Sequence, residues 1–439
     1  MTMGFERRVR TSRRAGRRGV ILIITLWVLV ILASVALSYA YYARLDLQMT
    51  SYNSDSARAR YLAKAGYYRT CVYLRDDKLK DQDLLDNEDL VELEDDDRGY
   101  LYDAMNEEWY SIWWDEDEED HLKRVPFGKG SFRVHVIDES GKININIASQ
   151  ELLQDLLEVT GVEEKKAQAI SAAIVDWRDE DDEPSDGGEE GFGEMTTEDT
   201  YYNPDQNLRD IEAQGPDYVN KNAPFDDVEE LLLVWEMTPT IFFGEDTNGN
   251  GKLDPNERDG RASPPDDDGD DKLLLGIQPY VTVYSERALN INTAPQKVLE
   301  ACLRSYDEGE AEELAEDIVE YRLGSDDEPG TRDDRPFRTL DDSDEDDYDL
   351  SAVRSLGPDG AAALRSMIPL SVASDVFTIE SIGEVNGVER KLVNVMQRMF
   401  TEPLELEGEA MEEWKRREEE EEQPEAVEFF VLRSSEEGV

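Results

Sequence analysis

The twelve residues DTNGNGKLDPNE, Asp246 to Glu257, carry the clearest chemistry in the chain. Asp246, Asn248 and Asn250 place side-chain oxygens at positions 1, 3 and 5 of a calcium loop. Gly251 allows the sharp turn at position 6, and Lys252 offers its carbonyl at 7. Asp254 stands at 9 and Glu257 at 12, where a carboxylate binds with both oxygens, while Leu253 fills the apolar position between. Pro255 and the lack of strong flanking helices argue against a paired sensor. A single loop of this kind fits structural calcium, with a dissociation constant on the order of 10⁻⁴–10⁻³ M. A second group lies in DWRDEDDEP, where Asp176, Asp179 and Asp181, with Glu190 further on, offer carboxylates to a cation. The same residues also read as a solvated acidic loop. DDDGDD at Asp266–Asp271 is a weaker version.

The composition narrows the classes. Among 439 residues, 104 Asp and Glu face 46 Lys and Arg, for a net charge of −58. Such a surface repels nucleic-acid phosphates and suits divalent cations. LLEVTGVEEKKAQAI, Leu156–Ile170, has the outline of a helix-hairpin-helix with Gly161 in its turn. Glu163 stands where a second glycine would open backbone amides to phosphate, so the hairpin is expected to pack a small helical domain. Cys71 and Cys302 do not declare a pairing, and His121 and His135 lie in unrelated contexts. Zinc spacing, a phosphate loop and a nucleophile elbow are all missing from the sequence. An enzyme is therefore not expected. A membrane-anchored, calcium-stabilised hydrolase and a helix-hairpin-helix DNA-binding or uptake protein stand as alternatives.

The elements that must position these residues begin with RRGVILIITLWVLVILASVALSYAYYARLDL. Val20–Ala43 holds no charge, and its 24 residues exceed the ~20 needed to cross a bilayer as a helix. Seven arginines among the first nineteen residues hold the start in the cytoplasm. No proline precedes Pro126, so one helix is expected from Val20 to about Asp76, with Gly66 its weakest interior point. The basic leader ending at Gly19, followed by an unbroken apolar helix, resembles a type IV prepilin leader. That likeness implies cutting between Gly19 and Val20 by a prepilin peptidase, with the anchor retained.

Residues 77–124 read as an acidic connection with Trp109, Trp113 and Trp114 in it. GKGSFRVHVIDESGKININI alternates at period two around the turn Asp138–Gly141, which predicts a hairpin. Asn386-Gly387 predicts another near the end. Two such distant hairpins share one sheet if residues 125–147 and 372–402 form it and residues 148–371 are an inserted α-domain. In the insert, ININIASQELL recurs as LNINTAPQKVL, each an extended piece entering a helix, the second with capping-box spacing at Thr293 and Gln296. Helices are expected at Gln150–Val159, Glu163–Trp177, from Asp226 with Glu229 capping, at Glu310–Arg322 and at Asp359–Met367. Residues 403–439, with the acidic run Glu418–Glu422, are expected to be disordered.

This order, with "LWVLVILA", "DESGKININ", "DWRDEDDEP", "NAPFDDVEELLLV", "LNINTAP" and "FTIESIGEV", resembles the K-type minor pseudopilins of type II secretion systems from Arg17 to about Phe400. The resemblance implies an α+β fold, in which a long amino-terminal helix packs on a small antiparallel pseudopilin sheet carrying a large, mainly α-helical insert. It implies an inner-membrane protein with one span and its bulk in the periplasm. Its partners would be I- and J-type minor pseudopilins and the inner-membrane assembly platform, with no nucleic acid. It also implies calcium in the α-domain, mapped to Asp179, Asp181 and Glu190. The chain departs from the family at Val20, where Met or Phe is usual. Residues 77–124 and 245–272 look like insertions, so the loop Asp246–Glu257 is private to this chain. Pilins generally carry a glutamate at the fifth mature residue. Here that residue is Ile24, which implies a subunit at the tip of a pseudopilus.

Overall fold

The computed structural model describes residues 17–86, 102–115, 121–181, 183–186, 220–246, 254–258, 273–285, 288–326, 328–340, 349–400 and 427–437. Helix α1, Arg17–Asp86, is unbroken over 70 residues and runs past the expected end at Asp76. Its start is long and apolar enough to cross a membrane. From Asp55 onward one face is covered: Ala59, Leu62, Ala63, Tyr67, Thr70 and Leu74 are buried. Gly66 is the point of closest approach, not a weak link. A Cβ there would stand 2.8 Å from the Phe132 ring and 2.9 Å from Val134. Gly383 on the opposing strand is equally tight against the α1 backbone at Ala59 and Ala63.

The covering sheet is antiparallel, with strand order β1-β2-β7-β8-β9. Its strands are β1 (Val125–Phe127), β2 (Gly130–Asp138), β7 (Val376–Val385), β8 (Val388–Phe400) and β9 (Val427–Glu437). β2 pairs with β7, so the two distant segments do share one sheet. The Asn386-Gly387 turn joins β7 to β8, with φ of +52° and +78°, the left-handed geometry those residue types accept. The expected hairpin around Asp138–Gly141 does not form. Asp138 caps the Ser140 amide at 2.8 Å, and a 3₁₀ turn over Glu139–Gly141 sends the chain away. Ile143 and Ile145 then enter the core of the insert, so one run of alternating residues serves two bodies.

Two other expectations are corrected at the edges. The acidic connection contains the short helix α2, Glu108–Ser111, and buries Trp109 and Trp113 with Phe132 and Phe377 under α1. Residues 427–437 of the expected disordered tail form β9, because Phe429 packs on the same core and Arg60 binds Glu436 at 2.6 Å.

The insert is a doubled module. In the first copy β3 (Ile143–Asn144) pairs in parallel with β4 (Val281–Thr282) and leads into α3 (Gln150–Val159) and α4 (Glu164–Arg178). In the second, β5 (Leu289–Asn290) pairs with β6 (Leu370–Ser371) and leads into α6 (Gln296–Arg304) and α7 (Ala311–Leu323). Within the first copy, before β4, lies α5, Pro239–Phe243, and within the second, before β6, lies α8, Gly357–Met367. Polar pairs repeat with the helices. Asn146 exchanges two hydrogen bonds with the Phe225 backbone, at 2.7 and 3.0 Å, and Asn292 does the same with Phe337 at 2.8 and 2.9 Å. Arg178 donates to the Ile145 carbonyl, as Arg322 does to that of Ile291.

Neither expected capping box forms. Asp227 caps a 3₁₀ run, Val228–Leu233, while Glu230 closes onto the Asp226 amide at 3.0 Å, steered by Lys221. Thr293 donates to the buried Asp138 carboxylate at 2.5 Å, a bond from insert to sheet, and leaves α6 without a side-chain cap.

Candidate functional site

The α3–α4 hairpin turns through Gly161, whose φ of +94° no side chain favours. Leu153, Leu156, Leu157 and Ile170 are buried, so the hairpin is a packing unit. Its second helix delivers Asp176 to the interior with no exposed surface. One Asp176 oxygen accepts the Ser185 amide at 2.8 Å, and its carbonyl accepts from Asn220 at 2.8 Å. Asn222, at a positive φ of 45°, donates its amide to the Asp181 carbonyl at 2.7 Å. These bonds fold residues 176–186 and 220–222 against each other.

Three oxygens inside this fold are buried without a hydrogen-bond partner among the described residues: Asp176 Oδ2, Asp179 Oδ1 and Asn222 Oδ1. Burial raises the Asp176 carboxyl to about 6, and the negative charges of Asp179 and Asp181 add to the rise. Asp179 is raised for the same two reasons, burial first and then Asp181. Unpartnered buried carboxylates cost free energy unless a proton or a cation reaches them. An all-oxygen set with two carboxylates and an amide carbonyl suits a hard cation such as calcium. Asp181 itself turns to its own loop, accepting the Glu183 amide at 2.9 Å. Glu190 lies outside the described residues. Asn222 was missed by sequence reasoning, although it opens the NAPF stretch that the resemblance rests on.

The matching bend of the second copy is closed differently. There Asp333 accepts from the Ser325 amide and hydroxyl at 2.8 and 2.6 Å, and Asp334 accepts the Gly330 amide at 2.9 Å. No carboxylate oxygen of that bend is orphaned among the described residues. Asp334 precedes Phe337 as Asn222 precedes Phe225, so a related fold is held by hydroxyls in one copy and left open in the other.

The loop Asp246–Glu257 is seen at its two ends. Asp246 and Glu257 are buried, and the Glu257 carboxylate accepts the Asp254 amide at 2.9 Å. Glu245 anchors the entry by accepting the Leu274 amide at 2.9 Å. Asn248, Asn250 and Lys252 lie outside the described residues. Gly19 and Val20 fall in the first turn of α1, and Ile24 is exposed on it.

One acidic cluster was not legible in the sequence. Asp77, Asp103 and Glu107 bring carboxylate oxygens within 4.8 Å of one another. The cation beside them is the fully buried Arg398. It donates to Asp103, to Asp77 at 2.7 Å and to the carbonyls of Leu74 and Ser374 at 3.0 Å each. Its guanidinium also lies over the Phe377 ring. Burial raises Asp103 to about 6 against the pull of Arg398. Glu107 is also held well above the usual carboxylate range, by burial and then by Asp77 and Asp103. The cluster therefore clasps α1 to β8 and is already served by an internal cation.

Residues 134–243 match the family model of type II secretion system protein K. Curated proteins give no match. Among solved structures, the chain is similar to one in the GspK–GspI–GspJ complex of the type 2 secretion system of enterotoxigenic Escherichia coli. The identity is 17%, the likeness covers 90% of this chain and 99% of that one, and the TM-score is 0.44. Residues 134–243, which hold the α3–α4 hairpin and the orphaned oxygens of Asp176, Asp179 and Asn222, are thus the part of the chain that is similar to type II secretion system protein K.

Proposed function

We propose that the chain is a minor pseudopilin of a type II secretion system that sits at the tip of a short pseudopilus and starts its assembly. The observation that carries this reading is the single helix α1, exposed and apolar at its start and packed on an antiparallel sheet further along. A fibre subunit needs both parts on one rigid element. The similarity of residues 134–243 to type II secretion system protein K supports that system as the one in which the element works. On this reading a prepilin peptidase cuts between Gly19 and Val20. The anchor starts in the inner membrane, the head lies in the periplasm, and I- and J-type minor pseudopilins pack beside α1 above the assembly platform. The role is structural, not catalytic.

Ile24 supports the tip position. A carboxylate at the fifth mature residue would meet the terminal amine of a neighbour already in place, since a charge in the bilayer needs a partner. A subunit with nothing above it has no such amine to meet. The doubled insert also makes the head too bulky for regular stacking.

Calcium belongs to the same reading. Asp176, Asp179 and Asn222 would hold it in the α3–α4 module, with Asp181 and Glu190 as further candidates. Asp246, Asn248, Asn250, Lys252, Asp254 and Glu257 would hold it in the loop. Bound there, calcium neutralises the carboxylates and locks each bend.

Co-expression with the neighbouring pseudopilins tests the function. Recovery of a complex with I- and J-type subunits, together with a mature start at Val20 by mass spectrometry, is the expected result. An intact start at Met1, or recovery of the chain at regular intervals along the fibre, would refute the processing and the tip role respectively.

A further inference from the structure

Above the anchor, α1 has two faces. One is closed by the sheet through Ala59, Ala63, Gly66 and Thr70. The opposite one carries Tyr61, Ala65, Tyr68 and Val72, in alternating steps of four and three residues. Tyr61 is 72% exposed, Tyr68 64% and Val72 45%. Among the described residues no element covers this face. Apolar residues at that spacing are the half-interface of two packed helices, since steps of four and three keep side chains on one seam.

The charge on this helix is the reverse of the molecule's. Between Arg44 and Leu79 stand seven Lys and Arg and four Asp, in a chain whose net charge is −58. Arg58, Lys64 and Arg75 flank the apolar seam. Asp76 is the one acid beside it, and it pairs with Arg75 at 2.8 Å. Asp55, the partner of Arg58 at 3.4 Å, is buried on the sheet side.

We propose that this face seats an α-helix of a second protein, one whose own apolar stripe is flanked by Asp and Glu. The seam is Tyr61, Ala65, Tyr68 and Val72, and the rims are Arg58, Lys64 and Arg75. Two other occupants fit less well. A second copy would bring the same basic rims against these, and like charges at that range repel. The bilayer is too far away, because even Ser54 stands about 16 Å beyond Ala43 along the helix. The proposal rests on the pseudopilin reading, which supplies helical neighbours, and adds to it the face used and the charge the neighbour must carry.

The test uses the full chain in membranes, co-expressed with the I- and J-type pseudopilins of the same system. A photo-crosslinking residue replaces Tyr61 or Tyr68 on the seam, Val28 or Val35 in the anchor, and Phe127 or Glu151 as exposed positions elsewhere. Adducts to a partner's helix from positions 61 and 68 are expected, falling with added salt. The triple variant Arg58→Glu, Lys64→Glu, Arg75→Glu should lower their yield about tenfold, with the anchor adducts and the melting temperature unchanged. Partner adducts from 127 or 151 with silence at 61 and 68 would overturn the face and leave the pseudopilin reading standing. Adducts to a second copy would overturn the occupant, and a yield indifferent to the triple reversal would overturn its charge. No partner adduct from any position, the anchor included, would sink the pseudopilin reading and this proposal with it.

Discussion

Asp176 offers one buried, unpartnered oxygen, for which a proton and the proposed calcium would compete. In the unfolded chain it ionises near ~3.9, whereas the fold holds its proton up to about 6. The folded state therefore binds the proton more tightly, and that stability is full below the unfolded value and lost as pH rises through about 6. Without calcium, Asp176→Asn should melt higher than the parent chain by about 2–4 °C at pH 7 and by much less at pH 4. Saturating calcium should raise the parent at pH 7 and leave the variant nearly unmoved. A difference between the two chains that ignores both pH and calcium would discount the site. Arg398 poses the opposite case, a buried charge already matched. Arg398→Met strips the counter-charge from Asp103 and Asp77 and should cost about 3–5 kcal/mol by denaturant unfolding. The double variant with Asp103→Asn should lose less than the two singles added together. These two sites also differ in legibility. Asp176, Asp179 and Asp181 crowd into one stretch and announce themselves. Asp103 and Arg398 are 295 residues apart and meet only through the sheet.

Among the elements, α1 sets local preference against packing at Gly66. Gly66→Ala improves helix propensity by about 1 kcal/mol. The new methyl would, however, press on Phe132 and Val134 at 2.8 and 2.9 Å, and overpacking of that kind costs about 1–3 kcal/mol. Net destabilisation is expected, as a lower melting temperature of the head; a stabilised variant would mean that the sheet yields easily. The helices of the insert were readable because each buries one face. Gln150–Val159 matches to the residue, and Ala311–Leu323 and Gly357–Met367 shift by one or two. The strands were less readable. Period two from Phe132 to Ile147 describes alternation but not a partner, and the Asp138 bonds broke the run in two. β9 was hidden by the acidic run before it, although Phe429 and Phe430 stand in an ordinary strand pattern.

At the scale of the whole molecule, two apolar cores, one under α1 and one in the insert, meet through polar contacts. Asp138 accepts from Thr293 at 2.5 Å, Ser374 at 2.6 Å and Asn290 at 3.1 Å. β9 adds a second tie, with Arg433 reaching Asp227 of the insert while Glu436 holds Arg60 of α1. Deleting residues 427–439 should free the edge of β8 and remove both ion pairs. The truncated chain should melt lower and self-associate as concentration rises, because an unpaired strand edge recruits another. Size-exclusion chromatography against the full chain measures this, and identical elution at every concentration would count against the tie.

The continuity of α1 has a mechanical consequence. Seventy residues without a break make a rod of about 105 Å. Its upper part is held against the sheet, because Gly66 lies close on Phe132 and Val134, Gly383 lies close on the backbone of Ala59 and Ala63, and Arg398 grips the carbonyl of Leu74. A thrust applied to the apolar end would arrive at the head with its full stroke, and a torque with its full angle. For each residue by which the rod is screwed outward, the head would climb ~1.5 Å and turn by ~100°. Between its apolar start and the sheet that grips it, α1 has no slack joint.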